Sequence, residues 1–173
     1  MQHKTHTVIG SPVGPLTLVA TDGIVSGLYM HEHLHMPPRE TFGRRDEGAF
    51  DDAVTQLEAY FAGERTDFTV LVAMAGTPFQ RRVWDALREI PYGETITYGQ
   101  LADRIGRPTA ARAVGLANGK NPISIIVPCH RVVGADGALT GYAGGLATKR
   151  HLLALEAGVD SRRTNGDRGS ASY

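Results

Sequence analysis

The one cysteine in this chain of 173 residues is Cys129, in Pro128-Cys129-His130-Arg131 behind the apolar run Ile123-Ser124-Ile125-Ile126-Val127. A lone thiol closes no intramolecular disulfide and completes no thiolate metal cage, which leaves a core residue or a nucleophile. The neighbours favour the nucleophile. A thiol attacks as thiolate, and its free pKa of about 8.5 falls beside an imidazole or in a positive local field. His130 and Arg131 fill the next two positions. Successive side chains on a strand point to opposite faces, so adjacency alone pairs nothing. Residues from elsewhere must decide what the thiol attacks.

The elements that would position this segment can be read from periodicity. Val8-Ile9, Gly14 to Ala20 and Ile24 to Met30 read as short strands, with Asp22-Gly23 a tight hairpin signal. His31 to Glu47 is polar, broken by Pro37-Pro38, and reads as a surface loop. Apolar residues from Phe50 to Phe61 recur at helical spacing up to Gly63, and Phe68 to Val72 reads as a further strand. The texture changes near Ala73 to Thr77, where Thr77-Pro78 opens a helix with proline at its first position. Helical patterns then run to Asn118, Cys129 follows on a strand, and a last helix spans about Leu146 to Ala157. The domains expected are therefore 1–75, an α/β unit, and 76–158, mainly helical, followed by a polar, flexible tail over 159–173.

The net charge is zero, but the two halves differ in sign. Residues 1–75 hold five Lys/Arg against ten Asp/Glu, and residues 76–158 hold ten against six. The second half is where a polyanion would dock. The N-terminus has no apolar signal region and no stretch reaches the roughly 18 apolar residues of a membrane span. With no disulfide framework, the chain reads as soluble and cytoplasmic, with no membrane partner.

Within the basic half, Thr97 to Arg104 reads as a short helix, Gly106-Arg107-Pro108 as a turn, and Thr109 as the cap of a second helix reaching about Asn118. Ala102 followed four residues later by Gly106 is what two closely crossing helices need: a small side chain at the crossing and a residue free to take positive φ. The second helix is nearly bald, with Ala110, Ala111, Ala113, Gly115 and Ala117 around a single long side chain, Arg112, in its first half. Such a helix suits a narrow groove, with the arginine entering the stack where a base has left.

Ile126-Val127-Pro128-Cys129-His130-Arg131-Val132-Val133, preceded by Ala111 to Gly115 and Asn121-Pro122 and followed by Gly141 to Leu146, resembles the O6-alkylguanine-DNA alkyltransferases, also called methylated-DNA-protein-cysteine methyltransferases. The resemblance is dense from Phe79 to about Gly158 and weak before residue 75. It implies an α/β N-terminal domain similar to ribonuclease H, plus a mainly α C-terminal domain whose winged helix-turn-helix binds the minor groove. It also implies direct reversal of damage. The alkyl group on guanine O6, and on thymine O4, passes to Cys129 without turnover and without a cofactor.

Residue roles follow from the same resemblance. His130 acts through a water as base towards Cys129, and Glu156 orients that imidazole. Tyr98 donates to the departing base, and Asn121 ties the turn ahead of the cysteine. Val132, Tyr142 and Ala143, with Tyr98, receive the flipped guanine; some members carry serine where Ala143 stands. Arg112 is the intercalating residue, with Ala110, Ala111, Ala113 and Asn118 as its DNA-facing neighbours. Lys149 either lines the guanine loop or is surface charge. The implied partner is double-stranded DNA containing alkylated guanine, met by a monomer that can cluster on DNA.

Certain relatives hold a structural zinc through two cysteines and histidines, and this chain has no second cysteine, so no metal is expected. His31, His33 and His35 alternate and would share one face of a strand, but in a polar, proline-flanked loop the alternation reads as incidental. Two alternatives remain. A lesion-binding protein without transfer would lack the nucleophile that Cys129 supplies, and a cysteine hydrolase or thiol redox protein would leave the Arg112 helix unexplained.

Overall fold

The structure, a computed structural model, describes residues 2–158; the expected tail over 159–173 lies outside the described residues. Three strands open the chain, β1 (Lys4–Ile9), β2 (Leu16–Thr21) and β3 (Ile24–Met30), joined as antiparallel neighbours. Asp22 and Gly23 link the last two with φ of 51° and 82°, the pair of positive values that a two-residue hairpin of this twist demands. A two-residue strand, β4 (Arg44–Arg45), adds parallel to β1 and completes the order β3-β2-β1-β4. The segment expected as a loop from His31 to Glu47 therefore contributes a strand. It also covers the second face of the sheet, where Phe42 stacks on Tyr29. That cover explains why β2 is buried on both faces, with Leu16, Leu18 and Ala20 on one and Thr17 and Val19 on the other.

Helix α1 (Asp51–Phe61) closes the first face, with Ala53, Leu57 and Tyr60 turned into the core and Gly63 at φ 77° ending it. The run Phe68 to Val72 forms no strand of the sheet; its only pairing is an isolated bridge from Val72 to Val25. The open edge of β3 is shared. Its start takes Val72, and its end takes Ile123 through Leu28, with Leu28 N donating to Pro122 O and Ser124 N to Leu28 O.

The second half begins with α2 (Pro78–Leu87), capped by Thr77 and Gln80 in a reciprocal box. A short strand β5 (Ile96–Thr97) leads into α3 (Tyr98–Arg104), which Thr97 and Gln100 cap in the same way. Gly106 turns the chain at φ 76°, and α4 (Ala111–Gly119) follows. Thr109 does not cap α4: the cap position is Ala110 and no side chain bonds there. Trp84 of α2 fixes the far end of α4 by donating its indole N–H to Ala117 O at 2.9 Å.

The segment expected as the Cys129 strand is a buried turn. Ile125 takes φ 72°, and Cys129–Arg131 forms one 3₁₀ turn that enters strand β6 (Val132–Val133), parallel to β5. Helix α5 (Leu146–Glu156) packs against that turn. One apolar cluster runs through the molecule from Leu16 to Leu155, so the two halves share a core. Among the described residues no helix is long and apolar enough to cross a membrane.

Candidate active site

Cys129 sits where the 3₁₀ turn, α4, α5 and the 121–127 turn meet, and it is 4% exposed. Burying this turn requires every polar backbone group to find a partner. Asn121 supplies two: its amide donates to Val127 O at 2.8 Å and its carbonyl oxygen accepts from Ile123 N at 3.0 Å. Asn118 donates to Cys129 O at 3.4 Å, which Val132 N also reaches.

Burial pushes the Cys129 thiol up from its ordinary value, while the Asn121 side chain, the Lys149 charge and the Ser124 hydroxyl work against that rise. Lys149 is fully buried, and its ammonium donates to Val132 O, Thr140 O and Gly141 O at 2.7, 3.0 and 3.3 Å. Of its two sequence readings, surface charge is excluded. Arg131 does not face the thiol. Its guanidinium is committed to Glu156, at 2.7 and 3.1 Å, and to Ile90 O at 2.6 Å.

His130 is wholly buried, and its Nε2 lies 2.6 Å from Glu156 Oε2. Burial favours an ionisation-resistant Glu156, but the hydrogen bonds and charges of His130 and Arg131 outweigh it and hold the carboxyl at about 2. An ionised carboxylate can only accept, so Nε2 carries the proton and Nδ1 keeps a lone pair. Burial lowers the His130 pKa against the pull of Glu156, which leaves the ring neutral near neutral pH. Nδ1 has no hydrogen-bond partner in the protein.

Tyr142 covers the thiol from the 141–145 loop. It is buried, and its hydroxyl lies by Ser124 and Cys129 without a hydrogen bond of good geometry. Ala143 O accepts from Leu34 N at 2.9 Å, and a Cβ on Gly144 would stand 2.9 Å from Met30 Sδ, so the loop is seated on the N-terminal half. Tyr98 opens α3, half-buried, with its hydroxyl 3.4 Å from Thr140 O and its ring against Gly115.

Residues 78–158 match the DNA binding domain of 6-O-methylguanine DNA methyltransferase, and residues 4–74 match its ribonuclease-like domain. The chain belongs to the 6-O-methylguanine DNA methyltransferase family.

Among its relatives in that family, a protein of Mycobacterium bovis named methylated-DNA--protein-cysteine methyltransferase is 59% identical over 151 residues, 87% of this chain and 91% of the relative. One of the same name from Methanosarcina acetivorans is 51% identical over 152 residues, 87% of this chain and 97% of the relative. The crystal structure of Mycobacterium tuberculosis OGT in complex with DNA superposes with a TM-score of 0.84 at 55% identity, covering 93% of this chain and 96% of that one.

This methyltransferase-family chain thus brings Cys129, His130, Glu156, Asn121, Val132 and Tyr142 into one buried cluster, with Tyr98 and Ala143 at its rim. The residues expected to face DNA divide. Arg112 and Ala113 are exposed on α4, and Ala110 and Ala111 are half-buried at its start. Asn118 is buried on the opposite side, bonded to the cysteine's carbonyl, because it lies four residues after Val114 on the core-facing stripe. His31 and His35 lie in turns and His33 between them: His33 Nδ1 accepts from Met30 N at 3.2 Å and its ring stands edge-on to Tyr29. Among the described residues no three His, Cys, Asp or Glu side chains converge to hold a metal ion.

Three placements carry no signal in the sequence. Arg131 was read as a field on the thiol and instead holds Glu156. Tyr60 reaches into the site from a half in which no chemistry was expected, donating to Glu156 Oε2 at 2.6 Å. Leu116, 67% exposed, lies one turn after Arg112 on the outer face of α4.

Proposed function

We propose that this protein repairs DNA by direct reversal: the alkyl group on O6 of guanine, and on O4 of thymine, passes to Cys129, once per molecule. The observation that carries the reading is the buried succession Cys129, His130, Glu156, in which the ionised carboxylate sets the imidazole's tautomer and leaves Nδ1 as the basic nitrogen. The family match supports it.

The reaction is an in-line displacement at the alkyl carbon. His130 Nδ1 takes the thiol proton, through a water; the sulfur–carbon bond forms as the carbon–O6 bond breaks. Tyr98 donates to the departing guanine, and a proton returned to the base balances the one lost by the thiol, so that a thioether and a neutral guanine result. Lys149 stabilises the transient thiolate, since each group's charge favours the other's. Glu156 and Asn121 position; Cys129, His130 and Tyr98 react. Val132, Ala143 and Tyr142 line the space for the base, and Tyr142 must withdraw, because so covered a sulfur meets no guanine.

Residues 76–158 do this work on duplex DNA, with α4 in the minor groove and Arg112 filling the gap left by the flipped base. A monomer in the cytoplasm suffices, and successive monomers can cluster along the duplex. A lesion-binding protein without transfer would not need a nucleophile with a base and a buried cation around it.

Mass spectrometry tests the reading. After incubation with duplex DNA containing O6-methylguanine, we expect a gain of one methyl group, mapped to Cys129. Binding of that DNA with unchanged protein mass would favour the lesion-binding alternative.

A further inference from the structure

The ribonuclease-like half is not a passive support. Along α1, Ala53, Leu57 and Tyr60 form the buried stripe, and Tyr60 is the only one of the three with a polar atom to satisfy. Its ring is held by Phe61, Phe68 and Tyr92, with centroids at 5.2, 5.3 and 6.2 Å. A phenylalanine would fill that space equally well. What the hydroxyl adds is one bond, 2.6 Å to Glu156 Oε2, across 96 positions of sequence and from the other half of the molecule.

That oxygen is the one His130 uses. Oε2 accepts from His130 Nε2 at 2.6 Å, Tyr60 Oη at 2.6 Å and Arg131 Nη2 at 3.1 Å, while Oε1 takes Arg131 Nε at 2.7 Å and Gly93 N at 3.5 Å. A carboxylate offers about four lone-pair directions, so these five donors compete for it. Each donor that stabilises the anion weakens its hold on the imidazole proton. Among the described residues the charged and titratable groups around the pair are Tyr60 from α1, Tyr92 ahead of β5, Cys129 and Arg131 beside His130 on the 3₁₀ turn, Tyr142 from the 141–145 loop, and Lys149 with Glu156 on α5. The phenol stays protonated, because burial and the facing carboxylate both raise its pKa.

We propose that Tyr60 is a positioning residue of alkyl transfer, through which the ribonuclease-like half sets the orientation and proton affinity of the Glu156–His130 pair. The proposal rests on Cys129 being the alkyl acceptor, as argued above.

The test compares the full-length protein with Tyr60→Phe and with Val54→Ala, a packing change on the same helix. Two quantities are read: the His130 imidazole titration by NMR without DNA, and the single-turnover rate of methyl transfer from O6-methylguanine duplex between about pH 5 and 8. Without the phenol, Oε2 leans harder on His130 and the imidazolium forms more easily. In Tyr60→Phe the imidazole pKa and the acidic limb of the rate should therefore rise together, by about half to one unit. Transfer at neutral pH should slow about 3- to 10-fold as the pair loses its fixed geometry. Val54→Ala should lower the melting temperature and move neither. An imidazole pKa and an acidic limb that both stay put in a folded Tyr60→Phe would overturn the proposal. If Tyr60→Phe does not fold, the wild-type protein decides: a slowly exchanging Tyr60 hydroxyl proton with a nuclear Overhauser contact to the His130 ring supports the bond, and its absence overturns it. A shifted His130 titration with no adduct on wild-type Cys129 would instead overturn alkyl transfer itself, and Tyr60's part in it, while the coupling stood.

Discussion

A cysteine as covered as Cys129 is held as a thiol at rest, because burial penalises the charged form more than its neighbours relieve it. The relief has a specific source. Lys149 is driven down by burial and pulled back by the sulfur, so ammonium and thiolate form together more readily than either does alone. The same ammonium is the shared donor for three carbonyls on the strand and loop that frame the site. Lys149→Met should therefore have two effects. Leaving those carbonyls unpaired should cost about 3 kcal/mol of stability, read from urea unfolding. Removing the charge should slow methyl transfer about 10-fold or more, read as a single-turnover rate under conditions where the variant is folded. A variant with wild-type rate would remove Lys149 from the thiolate's surroundings. At this scale Cys129, His130 and Glu156 were legible as motif positions. Lys149 was legible only as one of two readings, because the Lys149-Arg150 dipeptide looks equally like surface charge; its place three residues before Leu152 and seven before Glu156, on the buried stripe of α5, distinguishes it.

Two neighbouring elements, α4 and the turn ahead of Cys129, differ in what they present. Helix α4 turns Val114, Ala117 and Asn118 inward and presents Arg112, Ala113 and Leu116 outward. An arginine and an exposed leucine one turn apart, on a surface otherwise of small residues, suit entry into a shallow groove and contact with an opened base step. Arg112→Ala should slow transfer from duplex DNA about 10-fold while leaving reaction with free benzylguanine within about 2-fold, because only the duplex requires a base to be flipped. Equal slowing with both substrates would take Arg112 out of that step. The helix-turn-helix was legible because a turn glycine and helical periodicity agree with each other, although the cap expected at Thr109 is not made. The segment from Asn121 to Pro128 was not. Five apolar or small residues in a row satisfy a buried strand and a buried turn alike. What decides between them is Asn121, whose side chain replaces the ladder a strand would have provided, and Ile125, whose positive φ no periodicity reveals.

At the scale of the molecule the two halves meet at Glu156. Its carboxylate draws Tyr60 from α1, His130 and Arg131 from the cysteine turn, and the backbone ahead of β5, within a core continuous from Leu16 to Leu155. The change in texture near residue 75 marks a boundary between families of contacts, and it conceals this sharing, since periodicity reports which face is buried and not against what. Shared burial has a thermodynamic signature. Thermal unfolding should be one transition, with calorimetric and van't Hoff enthalpies equal, because neither half can lose its packing alone. Its dependence on pH follows from the two buried groups whose pKa values are depressed. His130 folds neutral with a pKa below its ordinary 6.5, so stability should begin to fall as pH drops through that value and the unfolded chain gains a proton the folded one resists. Glu156, held at about 2 against an ordinary 4.5, contributes fully above 4.5 and loses that contribution as pH falls towards 2. A difference of that size corresponds to about 3 kcal/mol. Urea titrations at stepped pH should thus show two successive losses in the wild type. In Glu156→Gln the lower one should vanish and the stability at neutral pH should drop, since Arg131 is then left buried without its counter-charge. A lower limb that persisted in Glu156→Gln would place the acid-sensitive contact elsewhere, and would leave the junction of the two halves to apolar packing and to backbone bonds such as Leu28 N to Pro122 O and Leu34 N to Ala143 O.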